Sequence, residues 1–214
     1  MGAVTCAVLG AGEILNYQRV AQLIAPGAFI VCADGGLRHC QPLKLAPDLL
    51  VGDFDSLTTE PPPGVERVSL SVDKNYTDSF HAAEIAVQRG QTQLLLTGML
   101  GGRLDHTLAN IALLCALAGQ GVYAMLTDGA TDAYGLAGGG KLVLPHRQGC
   151  YFSVLALEQC EQVTIQGGKY PLKGYSLRAD DPRAISNEFT PGKDVTISQR
   201  AGLLAAIVSP MNNA

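Results

Sequence analysis

The strongest constraint on the fold of this chain is a change of rhythm about two thirds of the way along it. Before that point, short apolar runs alternate with segments of helical spacing. Val4 to Leu9, Phe29 to Ala33, Leu49 to Val51, Gln93 to Thr97 and Val122 to Leu126 read as strands. Asn16 to Ile24, Asp78 to Arg89 and Asp105 to Ala118 read as helices, the second with Thr77 as N-cap and Gly90 as terminator. In the third helix Leu108, Ile111 and Cys115 fall along one side. Strand and helix in alternation imply a parallel sheet covered by helices. From about Tyr134 the texture changes to "KLVL", "YFSVLAL", "QVTI", "DVTIS" and "LLAAIV", separated by Gly, Pro and Asp turns. The expected fold is therefore an α/β domain over residues 1–135, with a mainly parallel, Rossmann-like sheet. A small all-β, sandwich-like domain follows over residues 136–214. The boundary is read from the glycine-rich stretch Gly135 to Gly140.

Composition narrows the function. Of 214 residues, 47% are hydrophobic and 16% charged, which describes an ordered chain with a large core. The formal net charge is -4 and there is no basic run, so nucleic acid is not an expected partner. The six cysteines form no C-x-x-C pair and sit mostly in apolar runs, as reduced structural thiols of a cytoplasmic protein would. The opening "MGAVTCAVLGAG" lacks the charged n-region of a signal peptide, and Cys6 breaks the myristoylation pattern. The apolar run "ANIALLCALAG" is too short to span a bilayer, so no membrane association is expected.

Acidic residues recur where the strands end. In "LVGDFDSL", Asp53 and Asp55 stand one residue apart after a buried strand. In extended chain they would lie roughly 7 Å apart and repel by roughly 2 to 3 kcal/mol at an effective dielectric near 20. "CADGG" (Cys32 to Gly36), "DKNYTD" (Asp73 to Asp78) and "TGMLGGRLDH" (Thr97 to His106) also follow or trail strands. Ligands of doubly wound sheets sit in the crevice beyond the carboxyl ends of the strands. Taken singly, each motif has an ordinary reading. Asp34-Gly35-Gly36 suits a turn, Asp53 and Asp55 a solvated loop, Asp78 a helix dipole and Asp105 an N-cap. Lys74 and Arg103 suit surface cations, and His106 and Asn110 ordinary polar positions. Together, Asp34, Asp53, Asp55, Asp78 and Asp105 on one rim require a counter-charge. Mg²⁺ between Asp53, Asp55 and Asp78 would turn their repulsion into attraction, sharing its shell with substrate phosphates. Gly35, Gly36, Gly101 and Gly102 would admit phosphate oxygens to backbone N–H groups beside helix N-termini. Lys74 and Arg103 would neutralise charge on the transferring group.

Two other glycine motifs fail as nucleotide fingerprints. "GLAGGGKL" (Gly135 to Leu142) has Leu142 where a P-loop needs Ser or Thr, and continues as a strand. Gly10-Ala11-Gly12 has Leu15 at the third glycine position of a dinucleotide motif, which leaves it as a tight turn beside a nucleotide or a plain turn.

The ordered set "ADGG", "GDFDS", "DKNYTD" and "GGRLDH" with Asn110 behind it, followed by a β region bearing "SNEF" (Ser186 to Phe189), resembles thiamine pyrophosphokinase (thiamine diphosphokinase) over nearly the whole chain. The resemblance implies a Mg²⁺-dependent homodimer that moves a pyrophosphoryl unit from ATP to the hydroxyethyl oxygen of thiamine, leaving AMP. It also implies an N-terminal α/β domain that binds ATP. A C-terminal β-sandwich would bind thiamine near the dimer interface. Carried over residue by residue, Asp53, Asp55 and Asp78 resemble the metal-binding acids, with Asp34 close by. One of Asp53 and Asp55 would accept the proton of the thiamine hydroxyl, and Lys74 and Arg103 complete the catalytic group. Asp34, Gly35, Gly36, Lys74, Thr77, Gly102, Arg103, Asp105, His106 and Asn110 resemble the ATP-binding set. Ser186, Asn187 and Phe189 resemble the thiamine side. The chain contains no Trp, so Phe189 or Tyr175 would have to stack on the thiamine ring. Two alternatives stand beside this reading. One is pyrophosphoryl transfer to another hydroxyalkyl heterocycle such as a pterin, and the other is a nucleotide sensor without turnover.

Overall fold

The structure is a computed structural model that describes residues 2–54, 60–70 and 77–211. The chain divides into two units, Met1–Leu113 with Val122–Ala130, and Leu114–Gly121 with Thr131–Ala214.

The first unit alternates strand and helix: β1 (Val4–Leu9), α1 (Tyr17–Leu23), β2 (Ile24–Ala33), a 3₁₀ helix (Asp34–His39), α2 (Cys40–Leu43), β3 (Leu49–Gly52), β4 (Glu66–Ser69), α3 (Asp78–Gln88), β5 (Gln93–Thr97), α4 (Leu104–Gly119) and β6 (Tyr123–Thr127). Its strands run β6-β5-β1-β2-β3-β4, and every neighbouring pair is parallel. Cys6 to Leu9 and Leu94 to Leu96 are wholly buried, as expected of strands that read as unbroken apolar runs. The helix α3 begins at Thr77, whose hydroxyl accepts a hydrogen bond from Phe80 N at 3.3 Å. Its buried residues are Ala82, Ala83 and Ala86, small enough to let the helix lie close on β1, β2 and β3.

The second unit holds β7 (Asp132–Ala137), β8 (Lys141–Leu144), β9 (Cys150–Ala156), β10 (Cys160–Gln166), β11 (Leu172–Leu177), β12 (Asn187–Glu188), β13 (Val195–Ser198) and β14 (Leu203–Pro210). These pair antiparallel in the orders β12-β9-β14-β7 and β11-β10-β13-β8. Buried and less buried residues alternate along β8, β9 and β13, so each of these strands turns one face to the interior. Among the described residues, the strands of the second unit thus form two antiparallel sets of four. The neighbouring strands of the first unit are all parallel and those of the second all antiparallel.

Three differences from what the sequence suggested have local causes. Leu108 is 60% exposed; the buried positions of α4 are Asn110, Leu113, Leu114, Cys115 and Leu117. The helix is apolar nearly all round, so spacing alone did not select its inner face. The second unit is not purely β, because it includes the end of α4, residues 114–119, where Cys115 Sγ donates to Leu204 O at 3.3 Å. Finally, the glycine stretch read as a boundary begins inside β7. A β-carbon at Gly135 would lie 2.4 Å from Leu114 O, so this glycine is there for helix-on-strand packing.

Gly135→Ala should therefore lower stability by about 1–3 kcal/mol, the usual cost of overpacking. Gly119→Ala, which meets nothing within 4 Å, should be neutral or stabilise by up to about 1 kcal/mol through helix propensity. Urea unfolding of both variants checks the pair, and equal effects would contradict the packing role.

Candidate active site

The described residues of the first unit enclose a cleft of about 350 Å³ beyond the carboxyl ends of β1, β2 and β5. Its wall is built from four segments: Ala11 and Gly12 after β1, Ala33 and Asp34 at the end of β2, Thr77 to Ser79 at the start of α3, and Gly98 to Arg103 after β5. His106 and Asn110, one turn apart on α4, complete it.

Asp34 opens the 3₁₀ helix with φ 44°, a left-handed conformation that Asp tolerates better than most side chains. Next to it, β3 ends in Gly52, where a β-carbon would lie only 1.7 Å from Asp34 Oδ1. The carboxylate thus occupies the space that any side chain at position 52 would fill. Asp53 follows directly and is half-buried.

Two helix N-termini meet the cleft, those of α3 and α4. Each leaves backbone N–H groups without intrahelical partners and favours anions. Before α4 the chain turns through Gly101 and Gly102, both with positive φ. The Thr107 hydroxyl ties this turn down by donating to Gly101 O and Arg103 O, each at 3.2 Å. Asn110, 6% exposed, donates to Met99 O at 2.8 Å and so fixes the loop after β5.

Arg103 grips Asp105 in a two-point ion pair at 3.1 and 2.5 Å, with both side chains largely in solvent. The guanidinium hydrogen bonds hold the Asp105 carboxyl down at about 2, and the His106 N–H adds to this. Exposed pairs of this kind contribute little to stability, so Arg103 can exchange its carboxylate for a phosphate.

The structure therefore brings Asp34, Thr77, Asp78, Gly102, Arg103, His106 and Asn110 to one cleft. Asp105 reaches it through Arg103. Gly35 and Gly36 do not line it: a β-carbon at Gly36 would lie 1.9 Å from Leu9 O, so this glycine serves packing on β1. Asp55 and Lys74 lie outside the described residues. Among the described residues no three His, Cys, Asp or Glu side chains cluster as a metal site. Sequence reasoning gave no role to Met99, Leu100 and Ser79, which carry no chemical signature.

In the second unit, Ser186 has φ 54° and its N–H donates to Ser153 Oγ at 3.0 Å. Asn187 is buried and clamps Tyr170: its Oδ1 accepts from Tyr170 N at 3.0 Å and its Nδ2 donates to Tyr170 O at 2.7 Å. Phe189 packs on Phe152 and His146, with ring centroids at 5.1 and 5.9 Å. It edges a second cavity of about 310 Å³ that Glu188, Arg147 and Met211 also line. Tyr175 holds Arg183 over its ring at 4.6 Å.

Residues 20–126 match the family description "Thiamin pyrophosphokinase, catalytic domain", and residues 141–204 match "Thiamin pyrophosphokinase, vitamin B1 binding domain". The chain belongs to the thiamin pyrophosphokinase family. It is 27% identical over 164 residues to the thiamine pyrophosphokinase of Bacillus subtilis (strain 168), an alignment covering 74% of this chain and 76% of that one. The crystal structure of thiamine pyrophosphokinase from Bacillus subtilis has the same fold, with a TM-score of 0.84 and 23% identity over 96% of this chain and 98% of that one. A thiamin pyrophosphokinase family protein from Enterococcus faecalis superposes with a TM-score of 0.78 at 28% identity, covering 95% and 98% of the two chains. For thiamin pyrophosphokinase from Geobacillus thermodenitrificans the TM-score is 0.81 at 25% identity, covering 97% and 98%.

Replacing Arg103 with Met should release the Asp105 carboxyl from about 2 toward its ordinary 3.8, read by NMR titration of that carboxyl. A carboxyl held low in the folded state adds stability above its unfolded value, and that stability fades as pH falls through about 2. An unchanged midpoint in the variant would show that the pair does not form.

Proposed function

We propose that the first unit binds Mg²⁺–ATP in its strand-end cleft and that the second binds thiamine. The chain is a transferase that moves a pyrophosphoryl group from ATP to thiamine. The observation that carries the site assignment is the convergence of Asp34, Asp78, Arg103 and two helix N-termini on one cleft.

The donor chemistry suits the metal. Asp34, Asp53 and Asp78 offer only carboxylate oxygens, the ligands that hard divalent cations take, and Mg²⁺ commonly needs one or two of them. We assign Asp53, Asp55 and Asp78 as the acids that hold it, with Asp34 beside them. When bound, Mg²⁺ would neutralise triphosphate charge and polarise the phosphoryl oxygens. The rest falls to the chain itself. The N–H groups at the starts of α3 and α4, with Thr77 and Gly102, receive phosphate oxygens. Arg103 and Lys74 take up the charge that develops on the transferred group, while Asp105, His106 and Asn110 hold the nucleotide end of the site. Asp53 or Asp55 accepts the proton as the thiamine hydroxyethyl oxygen bonds to the β-phosphorus of ATP and the bond to the AMP oxygen breaks.

On the thiamine side we assign Ser186, Asn187 and Phe189. Gly35 and Gly36 keep a supporting role, shaping the turn that presents Asp34. A homodimer in a cytoplasmic, reducing compartment completes the reading; six free cysteines, all buried, support the compartment.

Incubation with ATP, Mg²⁺ and thiamine, followed by separation of nucleotides, should yield AMP and thiamine diphosphate in equal amounts. ADP as the product would overturn the mechanism. Asp55→Asn should lower turnover by about 10²-fold or more and leave the thermal transition in place. Loss of that transition would make Asp55 a structural residue and remove it from the metal site.

A further inference from the structure

His39 plays no part in the chemistry above, yet it is a buried ionisable group one layer behind the cleft wall. It ends the 3₁₀ helix that begins with Asp34 and is 2% exposed. Its Nε2 lies 2.8 Å from Gly12 O, and its Nδ1 lies 2.8 Å from the Tyr17 hydroxyl. A carbonyl oxygen only accepts, so Nε2 must carry the proton. Burial pushes the ring toward its neutral form, and the neighbouring Arg38 charge acts the same way, against the backbone hydrogen bonds that favour the cation. In a neutral ring Nδ1 is then an acceptor, and Tyr17 O–H donates to it. The tautomer is fixed from both sides.

The carbonyl that His39 holds belongs to the turn Gly10-Ala11-Gly12, whose Ala11 and Gly12 line the cleft. This turn is pinned on its other side, where Gly10 N donates to Thr97 O at 2.8 Å and Gly12 N donates to Gly98 O at 2.6 Å. The approach is close enough that a β-carbon at Gly98 would lie 2.3 Å from Gly10 O and 3.2 Å from His39 Nε2. Arg38, next to His39, also donates to Ala11 O and Gly12 O. Both wall carbonyls are therefore occupied by donors from the 3₁₀ helix. Carbonyl oxygens left unengaged beside a triphosphate would repel it, and a buried carbonyl without a donor is costly.

We propose that His39 is a positioning residue for the nucleotide: it locks the Gly10–Gly12 turn, by way of the Gly12 carbonyl, in the form that accepts the polyphosphate. The inference rests on the reading of this cleft as the ATP site. His39 does not itself line the cleft and acts only through the turn, so its loss falls on nucleotide binding. Thiamine binding and the chemical step should change far less.

Steady-state kinetics of the full chain test this with three variants. His39→Leu, similar in bulk but without a donor, should raise KM for ATP about tenfold or more and change KM for thiamine and kcat by less than about threefold. His39→Gln, whose amide nitrogen reaches the position of Nε2 and donates to Gly12 O, should bring KM for ATP back to within about threefold of the wild type. Tyr17→Phe keeps the core shape, removes one of the two partners that fix the tautomer and should raise KM for ATP by a smaller factor, which keeps the test decisive where His39→Leu does not fold. The inference is overturned by a KM for ATP unchanged in both His39→Leu and Tyr17→Phe, by a fall in kcat alone, or by Gln behaving as Leu does. Wild-type turnover that forms AMP, with such results in the variants, removes the role of His39 alone. No AMP-forming turnover in the wild type removes the ATP-site reading and the inference with it.

Discussion

A carboxylate resting on a bare α-carbon is the contact on which the candidate site depends. Asp34 leaves β2 in a left-handed turn, and β3, paired to β2 through Ala33 and Val51, ends alongside it in Gly52. With a β-carbon at position 52 only 1.7 Å from Asp34 Oδ1, no other residue fits there without displacing the acid. The register of the two parallel strands thus sets Asp34 beside Gly52, with Asp53 the next residue along β3's chain.

What surrounds that contact is arranged for anions. Helix starts at α3 and α4 supply backbone N–H groups and the positive end of the helix dipole. Carbonyl oxygens of the β1–α1 turn are taken up by Arg38 and His39. Arg103 is kept charged and near the cleft by Asp105 in an exposed pair that a phosphate can replace. Asp34 and Asp78 line the same cleft as Arg103 and the two helix starts, so acidic and anion-binding groups share one wall. That mixture is what the proposed Mg²⁺–ATP reading of the cleft calls for.

Much of this was legible in the chain, for physical reasons that can be named. Strands β1, β3 and β5 are buried on both faces and so appear as unbroken apolar runs, and α3 carries its own start signal in Thr77. The edge strand β4 was missed because "ERVS" is short, polar and mostly exposed, which leaves no apolar pattern to read. Gly135 misled because a glycine needed for close packing looks like a glycine in a linker. Asp34, Asp78 and Arg103, singled out for the chemistry of their side chains, line one cleft in the structure. Gly36 was given to the ligand but belongs to packing, since sequence does not say which side of a glycine is crowded. Asn187 was read as a thiamine contact, while its amide in this structure is spent on Tyr170. Family membership supports the assignment without altering that geometry.

The most direct test is calorimetric titration with an ATP analogue whose α–β bridge is a methylene, so that no transfer occurs, with and without Mg²⁺, in the wild type and in Asp34→Asn. If the acids of the strand ends grip the cation and its polyphosphate together, Mg²⁺ should tighten binding to the wild type by about tenfold or more, and most of that gain should vanish in the variant. Equal affinity with and without the metal, or an undiminished gain in Asp34→Asn, would contradict the account.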